Sequence, residues 1–293
     1  MHRQELLLCA VPTLIWGSTW YAITLQLGVV PPEWSVAYRF ALASLILFAV
    51  CAATRQLPRF PPRQHAFLAL LGMLFFGLNY VAIYQAERHV PSGLVAVLFS
   101  TIVLMTPYLM RVAFGTPVTR RALVAALLGV GGVALVFLPA LDGPRAGGLL
   151  GLGIAMALVG TLIAALGNIV AVRNNRAGLP ILPATAWGMA YGSAAAATAA
   201  VVLGVAPMFD ARPGYVLSLL YLAFFGSVVA FVAYLTLLKR VGAGPTSFVA
   251  ISTPVIAMLV STVVEDYRWS WPAALGVVLA MIGNFLALRP PRN

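Results

Sequence analysis

Long uninterrupted apolar runs dominate the chain, without the short polar and apolar alternation that is typical of soluble domains. A bilayer core of about 30 Å needs roughly 20 apolar residues per helix. Ten such runs can be marked, at about 5–27, 34–54, 66–86, 91–114, 121–139, 147–171, 182–203, 214–237, 245–264 and 270–288. The connections are short, so the pattern predicts an all-α membrane protein with ten transmembrane helices.

Composition agrees with this interpretation, since 62% of the residues are hydrophobic and only 9% are charged. The net charge of +11 would suit a nucleic-acid partner, but the basic residues are distributed according to the predicted helices. Most of the 18 lie at the two ends of the chain and in the even-numbered connections; only Arg39, Arg88, Arg145, Arg212 and Arg268 belong to the other side. Because cytoplasmic loops carry an excess of Lys and Arg, both termini are expected in the cytoplasm. The bilayer is the expected partner, and nucleic acid is not.

Two stretches about 150 residues apart resemble each other: LFFGLNYVAIYQAERHV at 74–90 and AFFGSVVAFVAYLTLLKRVG at 223–242. The matched positions are Phe75-Phe76-Gly77 with Phe224-Phe225-Gly226, Tyr84 with Tyr234, Ser100-Thr101 with Ser252-Thr253, and residues 132–137 with residues 283–288. The order is the same over four predicted helices. The sequence therefore predicts a duplication, with halves at 1–141 and 142–293.

Each predicted half contains five helices, and an odd number means that the second half enters the membrane from the opposite side. The halves are then inverted repeats. Inverted repeats place a cavity near the midplane, and exchange of conformation between them opens that cavity to one side and then the other. This organisation predicts a transporter.

Several stretches resemble EamA-type members of the drug/metabolite transporter superfamily: IWGSTWYAI at 15–23, AYRFALAS at 37–44, AWGMAYG at 186–192 and GVVLAMIGNFLAL at 276–288. The resemblance implies a ten-helix exporter of small metabolites, particularly amino acids, in a bacterial inner membrane. It also implies a cavity lined mainly by helices 1, 3, 4, 6, 8 and 9. The aromatic amino acid exporter branch is the most similar. One feature departs from the family pattern: the acidic turn that often follows helices 4 and 9 is present at Glu265-Asp266, whereas the first half has Gly115-Thr116-Pro117.

A neutral or zwitterionic solute in a dry cavity needs aromatic walls and a few polar groups. The candidates for this wall are Trp16, Asn79, Tyr80, Tyr84, Phe99, Thr101, Asn168, Ser247 and Ser252. Each has a structural alternative. Trp and Tyr often form the interfacial belt, and Ser, Thr and Asn often bond to a carbonyl or join neighbouring helices.

Three further residues are candidates for gating or for breaking a helix. Arg39 lies a few residues inside helix 2, where it either snorkels to the outer interface, contacts a carbonyl or forms part of an outer gate. Pro107 and Pro254 are expected to interrupt helices 4 and 9 by releasing the carbonyls of Val103 and Ala250. Such breaks point toward a binding region, and simple kinks are the alternative.

The acidic residues all fall at predicted helix ends or in the connections, so none is expected in the middle of the membrane. Proton-coupled carriers usually rely on a titrating carboxylate in the transport path. The sequence therefore favours facilitated diffusion or exchange over a proton antiporter, although carboxylates in loops can also titrate.

An enzyme is not expected. His2, His65 and His89 lie outside the predicted spans or at their ends, no HExxH motif occurs, and neither Cys9 nor Cys51 has a nearby base. The sequence indicates no metal site and no cofactor.

A channel is a second alternative, but no run resembles a carbonyl filter or a ring of charges. A drug or lipid efflux carrier is a third, since an aromatic cavity also suits amphiphiles. Gly188 and Gly192 have GxxxG spacing, which favours close helix contact and leaves the oligomeric state open.

Overall fold

The computed structural model of the protein describes residues 3–141, 148–241 and 243–288. Within these ranges all regular secondary structure is helical. The α-helices are α1 Arg3–Thr24, α2 Pro32–Ala53, α3 Pro62–Leu71, α4 Asn79–Glu87, α5 Ser92–Ser100, α6 Ile102–Phe114, α7 Arg120–Leu141, α8 Gly148–Arg176, α9 Ile181–Val202, α10 Pro213–Tyr221, α11 Ala230–Val241, α12 Ala243–Val264 and α13 Trp271–Leu288. Two π-helical segments, π1 Gly72–Leu78 and π2 Leu222–Val229, join α3 to α4 and α10 to α11.

Seven helical stretches in the described ranges are long and apolar enough to cross a membrane. They are Gln4–Thr24, Pro32–Ala53, Pro62–Glu87, Ser92–Phe114, Arg120–Leu138, Leu149–Arg176 and Pro213–Tyr234. Two shorter apolar helices cover Ser252–Val264 and Trp271–Leu286. The chain is therefore a helical multi-pass membrane protein; the number of ten crossings and the side of each terminus stay predictions.

Local sequence explains several helix boundaries. Pro32, Pro62 and Pro213 stand in the first turn of α2, α3 and α10. Backbone N–H groups in the first turn have no acceptor within the helix, so proline removes no helical hydrogen bond there. Helix α6 ends at Gly115, whose φ of 70° is the left-handed conformation that glycine adopts readily. The N–H of Gly115 donates to the carbonyl of Arg111 and closes the helix.

The two π-helical segments coincide with the two Phe-Phe-Gly motifs that the sequence comparison matched. In π1, a side chain on Gly77 would lie 2.9 Å from the carbonyl oxygen of Gly192 on α9. In π2, one on Gly226 would lie 2.9 Å from the methyl group of Thr19 on α1. π-Helical segments are rare in proteins, and those that do occur are frequently found at functional sites. The similarity of the two motifs therefore extends to an uncommon backbone conformation.

Helices α7 and α13 pack backbone to backbone through glycines. A Cβ atom on Gly132 would lie 2.6 Å from the carbonyl oxygen of Gly276, and one on Gly283 would lie 2.7 Å from that of Ala125. The sequence alignment pairs Gly132 with Gly283, and the same offset pairs Ala125 with Gly276. If each residue is replaced by its counterpart in the other half, the contact of Gly132 with Gly276 becomes the contact of Gly283 with Ala125. Small residues permit this close approach.

Neither proline ends a helix, so both helices continue through these positions, and a kink at Pro107 or Pro254 stays a prediction. Pro107 lies inside α6, and Pro254 lies inside α12. Proline removes a single backbone donor, and membrane helices tolerate that loss where neighbouring groups satisfy the backbone. The fourth apolar run divides instead at Thr101, between α5 and α6, where the Thr101 N–H bonds to the carbonyl of Leu98.

Candidate functional site

An aromatic cluster joins the two halves of the sequence. We define it by Trp16 of α1, Phe75 and Phe76 of π1, and Phe231 and Tyr234 of α11. The Phe231 ring centroid lies 5.2 Å from that of Trp16, 5.7 Å from that of Phe76 and 6.3 Å from that of Phe75. Tyr234 lies 5.3 Å from Trp16. Phe231 thus packs between rings of the first half, and the cluster presents uncharged π surfaces.

Trp16 also contacts the irregular backbone of π2. Its indole Nε1–H donates to the carbonyl oxygen of Gly226 at 3.0 Å. A π-helical turn shifts the backbone hydrogen-bond register, and side-chain donors can then reach carbonyls that a regular α-helix would occupy. The structure therefore gives the predicted Trp16 two roles, as a cluster member and as the partner of a π-helix carbonyl.

Arg39 is 1% exposed, so the expectation that it snorkels to the interface is wrong. Its Nε–H donates to the Ser227 hydroxyl at 3.3 Å, and its Nη1 contacts the Tyr84 hydroxyl at 3.5 Å. The guanidinium carbon lies 4.7 Å from the centroid of the Tyr80 ring. Hydroxyl groups and aromatic faces take the place of water around this charge. We call Gln26, Arg39, Tyr84 and Ser227 the Arg39 layer.

The remaining members of this layer fix its geometry. Tyr84 is completely buried, and its hydroxyl donates to Gln26 Oε1 at 2.8 Å. Ser227 donates its hydroxyl hydrogen to the carbonyl of Leu222, five residues earlier in π2. The layer consequently connects the turn after α1, together with α2 and α4, to π2, so it holds the first half of the sequence to the second.

Asn79 is the predicted polar residue with the most unusual environment. It begins α4, its side chain is 2% exposed, and its Oδ1 atom has no hydrogen-bond partner in the described part of the chain. A buried amide oxygen without a partner costs free energy. Asn79 therefore has unused capacity to accept a hydrogen bond close to Tyr80.

The other predicted wall residues differ in what they contact. Phe99 is half-buried, and its ring centroid lies 5.4 Å from that of Trp20. Thr101 donates its hydroxyl hydrogen to the carbonyl of Leu98 at 2.6 Å, which is the structural alternative that its sequence context allowed. Asn168 on α8 and Ser252 on α12 are half-buried. The side chain of Ser247 lies outside the described part of the structure.

Sequence reasoning missed that two of the carboxylates at helix ends, Glu33 and Glu87, are buried and that Glu265 is partly buried. Glu33 is 5% exposed and accepts a hydrogen bond from Gln85 Nε2 at 2.9 Å. Glu265 accepts from the Ser92 hydroxyl at 2.6 Å and from the Ser92 N–H at 3.3 Å. Glu87 is 7% exposed, and both of its oxygens are without a hydrogen-bond partner in the described residues. The only sequence signal for these carboxylates is their position at the ends of apolar runs. That position does not distinguish a buried carboxylate from a solvated one.

One acidic group lies apart from the site. The Arg212 guanidinium and N–H bond to Asp210 in the connection before α10, and they hold the pKa of the Asp210 carboxyl below its usual range. The Arg212 side chain is largely exposed. Exposed pairs of this kind contribute little stability, so this ion pair is a local contact within the connecting segment.

An open apolar groove of about 460 Å³ runs beside α2. It is lined by Leu42, Ile46, Leu217, Leu220, Tyr221, Phe224 and Phe225. Five of these residues belong to α10 and π2, and their polar surface in the groove is very small. The groove and the aromatic cluster are different surfaces, because no residue lines both.

Comparison with known families matches the EamA-like transporter family at residues 3–138 and again at residues 151–289. The chain belongs to the EamA-like transporter family. Its members are transporters, so this protein is a membrane transporter, in agreement with the expectation that it is not an enzyme. A small-molecule substrate and the surrounding lipid are the partners that this family membership implies.

Full-length relatives agree with the family assignment. The uncharacterized inner membrane transporter YedA of Escherichia coli strain K12 is 30% identical, over 93% of this chain and 89% of the relative. Protein PecM of Dickeya dadantii is 27% identical over 90% and 85%. Protein PagO of Salmonella typhimurium is 24% identical over 94% and 90%.

A solved crystal structure shares the fold. The match has a TM-score of 0.68 at 18% sequence identity and covers 98% of both chains. At this level of identity the likeness describes the fold alone. The helical arrangement of this EamA-like protein therefore recurs in a protein of very different sequence.

Proposed function

We propose that this EamA-like transporter exports small neutral metabolites, with aromatic and other neutral amino acids as substrates, across the inner membrane of a bacterium. The observation that carries the proposal is the aromatic cluster, in which uncharged rings from both halves meet around Phe231. Aromatic pairs at such distances contribute about 0.5–1.5 kcal/mol each beyond the area that they bury. A planar or apolar side chain that enters the cluster can replace these pairs with its own contacts.

Polar groups next to the cluster suit a zwitterionic backbone. Asn79 offers an unpartnered amide oxygen that can accept from an ammonium group. Arg39 carries a positive charge that no carboxylate among the described residues pairs within salt-bridge distance. A substrate carboxylate is the chemical group that this guanidinium would bind bidentately. A neutral amino acid combines all three features.

For the architecture, we propose ten spans in two inverted five-helix repeats, 1–141 and 142–293, with both termini cytoplasmic and alternating access or facilitated diffusion through a central cavity. The family matches once in each half. The two π-segments and the exchanged glycine contacts of α7 and α13 agree with a duplication.

Helix packing adds independent support for the inverted repeat. Helix α2 packs on α9, α7 on α13, and α5 on α12, and each pair consists of segments that occupy the same place in the order of the two predicted halves. Helix α1 packs on α12, while its counterpart α8 packs on α5 and α6. A two-fold relation between the halves produces this set of neighbours.

A second candidate is an efflux carrier for drugs or lipids. The apolar groove beside α2 favours it, because an acyl chain or a lipophilic ring can occupy an open surface of this composition. The two functions use different surfaces, so one substitution in each surface separates them.

Uptake into proteoliposomes tests the proposal, with the purified protein and a labelled panel of aromatic, aliphatic and polar amino acids. We expect saturable uptake of aromatic amino acids, and we expect polar ones to compete weakly. Absence of any amino acid flux, together with transport of a lipophilic dye or a labelled lipid, would contradict amino acid export and favour the second candidate.

Phe231→Ala is expected to reduce uptake of aromatic amino acids at least about tenfold, since the loss of three ring pairs corresponds to about 1.5 kcal/mol or more. The matched control is Phe224→Ala, because Phe224 lines the groove and is 44% exposed. The measurement is concentration-dependent uptake by both variants at equal reconstituted amounts. The reverse ranking of the two variants would move the substrate to the groove.

A further inference from the structure

Glu87 is an acidic side chain that the proposed substrate site does not use. It is the last residue of α4, it is 7% exposed, and neither carboxyl oxygen has a hydrogen-bond partner in the described part of the protein. Burying an ionised carboxylate without partners is energetically unfavourable, because the interior does not replace the water that solvates the charge. In this conformation the neutral acid, which keeps its proton, is therefore the favoured form.

The charged groups around Glu87 come from several elements. Arg39 of α2 and Glu265, which follows α12, lie close enough to act electrostatically on its carboxyl group. The other titratable groups on the packed elements are Glu33 at the start of α2, which Gln85 bonds, and Tyr84, one turn earlier on α4. The sequences of α5 and the neighbouring part of α8 carry no charged residue there. The charged groups that act most directly on the Glu87 carboxyl group are thus one cation, Arg39, and one carboxylate, Glu265.

These neighbours belong to different halves of the chain. Glu87 and Arg39 lie in the first half, whereas Glu265 and Ser227 lie in the second. The bonds from Ser92 to Glu265 and from Arg39 to Ser227 hold the halves together at this end of the molecule. If the halves separate here, Glu87 gains water and Arg39 loses the Ser227 hydroxyl. Both changes favour the ionised carboxylate paired with Arg39.

We propose that Glu87 is a proton-binding site whose occupancy is coupled to the conformational change of transport. The step is simple: the carboxylate takes up one proton as this end closes, and the O–H bond breaks to release the proton to water as it opens. The described residues contain no group of three His, Cys, Asp or Glu side chains that could hold a metal ion, which favours a proton over a divalent cation at this position. The coupling part of this proposal rests on the transport function proposed above, whereas proton binding by Glu87 does not.

Infrared spectroscopy of the reconstituted protein tests proton binding without any substrate. We expect a C=O stretching band of a protonated carboxyl group at neutral pH, with a shift in D₂O. Glu87→Gln should remove this band and keep the fold, because glutamine has the shape of the neutral acid. The control Asp210→Asn should leave the band unchanged, since Asp210 is ion-paired with Arg212. Persistence of the band in Glu87→Gln, or its absence from the unsubstituted protein, would overturn the proposal.

Transport assays test the coupling. A pH gradient should stimulate net amino acid uptake by the unsubstituted protein and by Asp210→Asn. Glu87→Gln should lose this stimulation while it continues to exchange labelled for unlabelled substrate, and Glu87→Asp should restore part of it. Net uptake that responds to pH equally in Glu87→Gln would refute coupling through Glu87. If no amino acid is transported at all, the proposed function fails, and the infrared band still decides whether Glu87 binds a proton.

Discussion

Arg39→Met should lower transport at least about tenfold and leave the unfolding temperature of the protein unchanged or higher. Methionine keeps much of the side-chain volume of Arg39 and removes its charge. The cost of burying a charge often exceeds the gain from its interactions, so an apolar replacement of similar size need not destabilise a protein. The contacts with Ser227 and with the Tyr80 face would nevertheless be lost. Under the proposed function, transport falls because the substrate carboxylate loses its cation and the two halves lose a connection.

The control for Arg39→Met is Arg88→Met, which removes an exposed arginine bonded to Gln85 one turn before it. Arg39→Lys should retain part of the activity, since lysine keeps the charge without the planar fork. Initial uptake rates and thermal unfolding of all three variants provide the comparison. A lower unfolding temperature with unchanged transport per folded molecule would assign Arg39 to stability alone.

Gly72→Ala should have the largest effect on folding. A methyl group on Gly72 would overlap the carbonyl oxygen of Gly188, and it would lie 2.7 Å from the Cβ atom of Tyr191 and 2.8 Å from the backbone nitrogen of Gly192. Overpacking usually costs about 1–3 kcal/mol where side chains can adjust. Here two of the three nearest atoms belong to the backbone of α9, so π1 and α9 must move apart. We expect a clearly lower unfolding temperature and a smaller monodisperse fraction in detergent.

Gly131→Ala is the matched control, because the space around Gly131 is open within 4 Å and the position lies inside a helix. Alanine is favoured over glycine in helices by about 1 kcal/mol, so this variant should be as stable as the unsubstituted protein or more stable. Equal unfolding temperatures for Gly72→Ala and Gly131→Ala would show that the contact between π1 and α9 yields easily.

The sequence predicted those features that depend on composition along one segment. Apolar runs predicted a multi-pass helical protein, and the spacing of Gly188 and Gly192 predicted a close helix contact without naming the partner, which the structure shows to be π1. Repetition of Phe-Phe-Gly predicted that the two segments have related roles. The resemblance of motifs such as IWGSTWYAI predicted the EamA family, which the comparison confirmed.

What the sequence could not predict depends on neighbours from other segments. The environment of Arg39 comes from α4 and from π2, nearly 190 residues away in the chain. Glu87 stands at a helix end, where sequence reasoning expects water, but it is buried in the folded protein. The helix break at Thr101 has no proline to indicate it. Ring clusters such as that of Phe231 follow from helix packing. A uniformly apolar run does not show which side of its helix faces the other helices, so the sequence cannot predict such clusters.

The π-segments also determine the direction in which the candidate site side chains point. A π-helix amounts to one residue added to an α-helix, and one residue corresponds to about 100° of rotation around the axis. Deletion of one residue from π1 would restore a regular α-helix and rotate Tyr80, Tyr84 and Glu87 away from Arg39. A deletion in π2 would rotate Phe231 and Tyr234 away from Trp16. The one additional residue in each π-segment therefore sets the rotation of the helix that follows it. The orientation of the candidate side chains depends on that residue as well as on their identity.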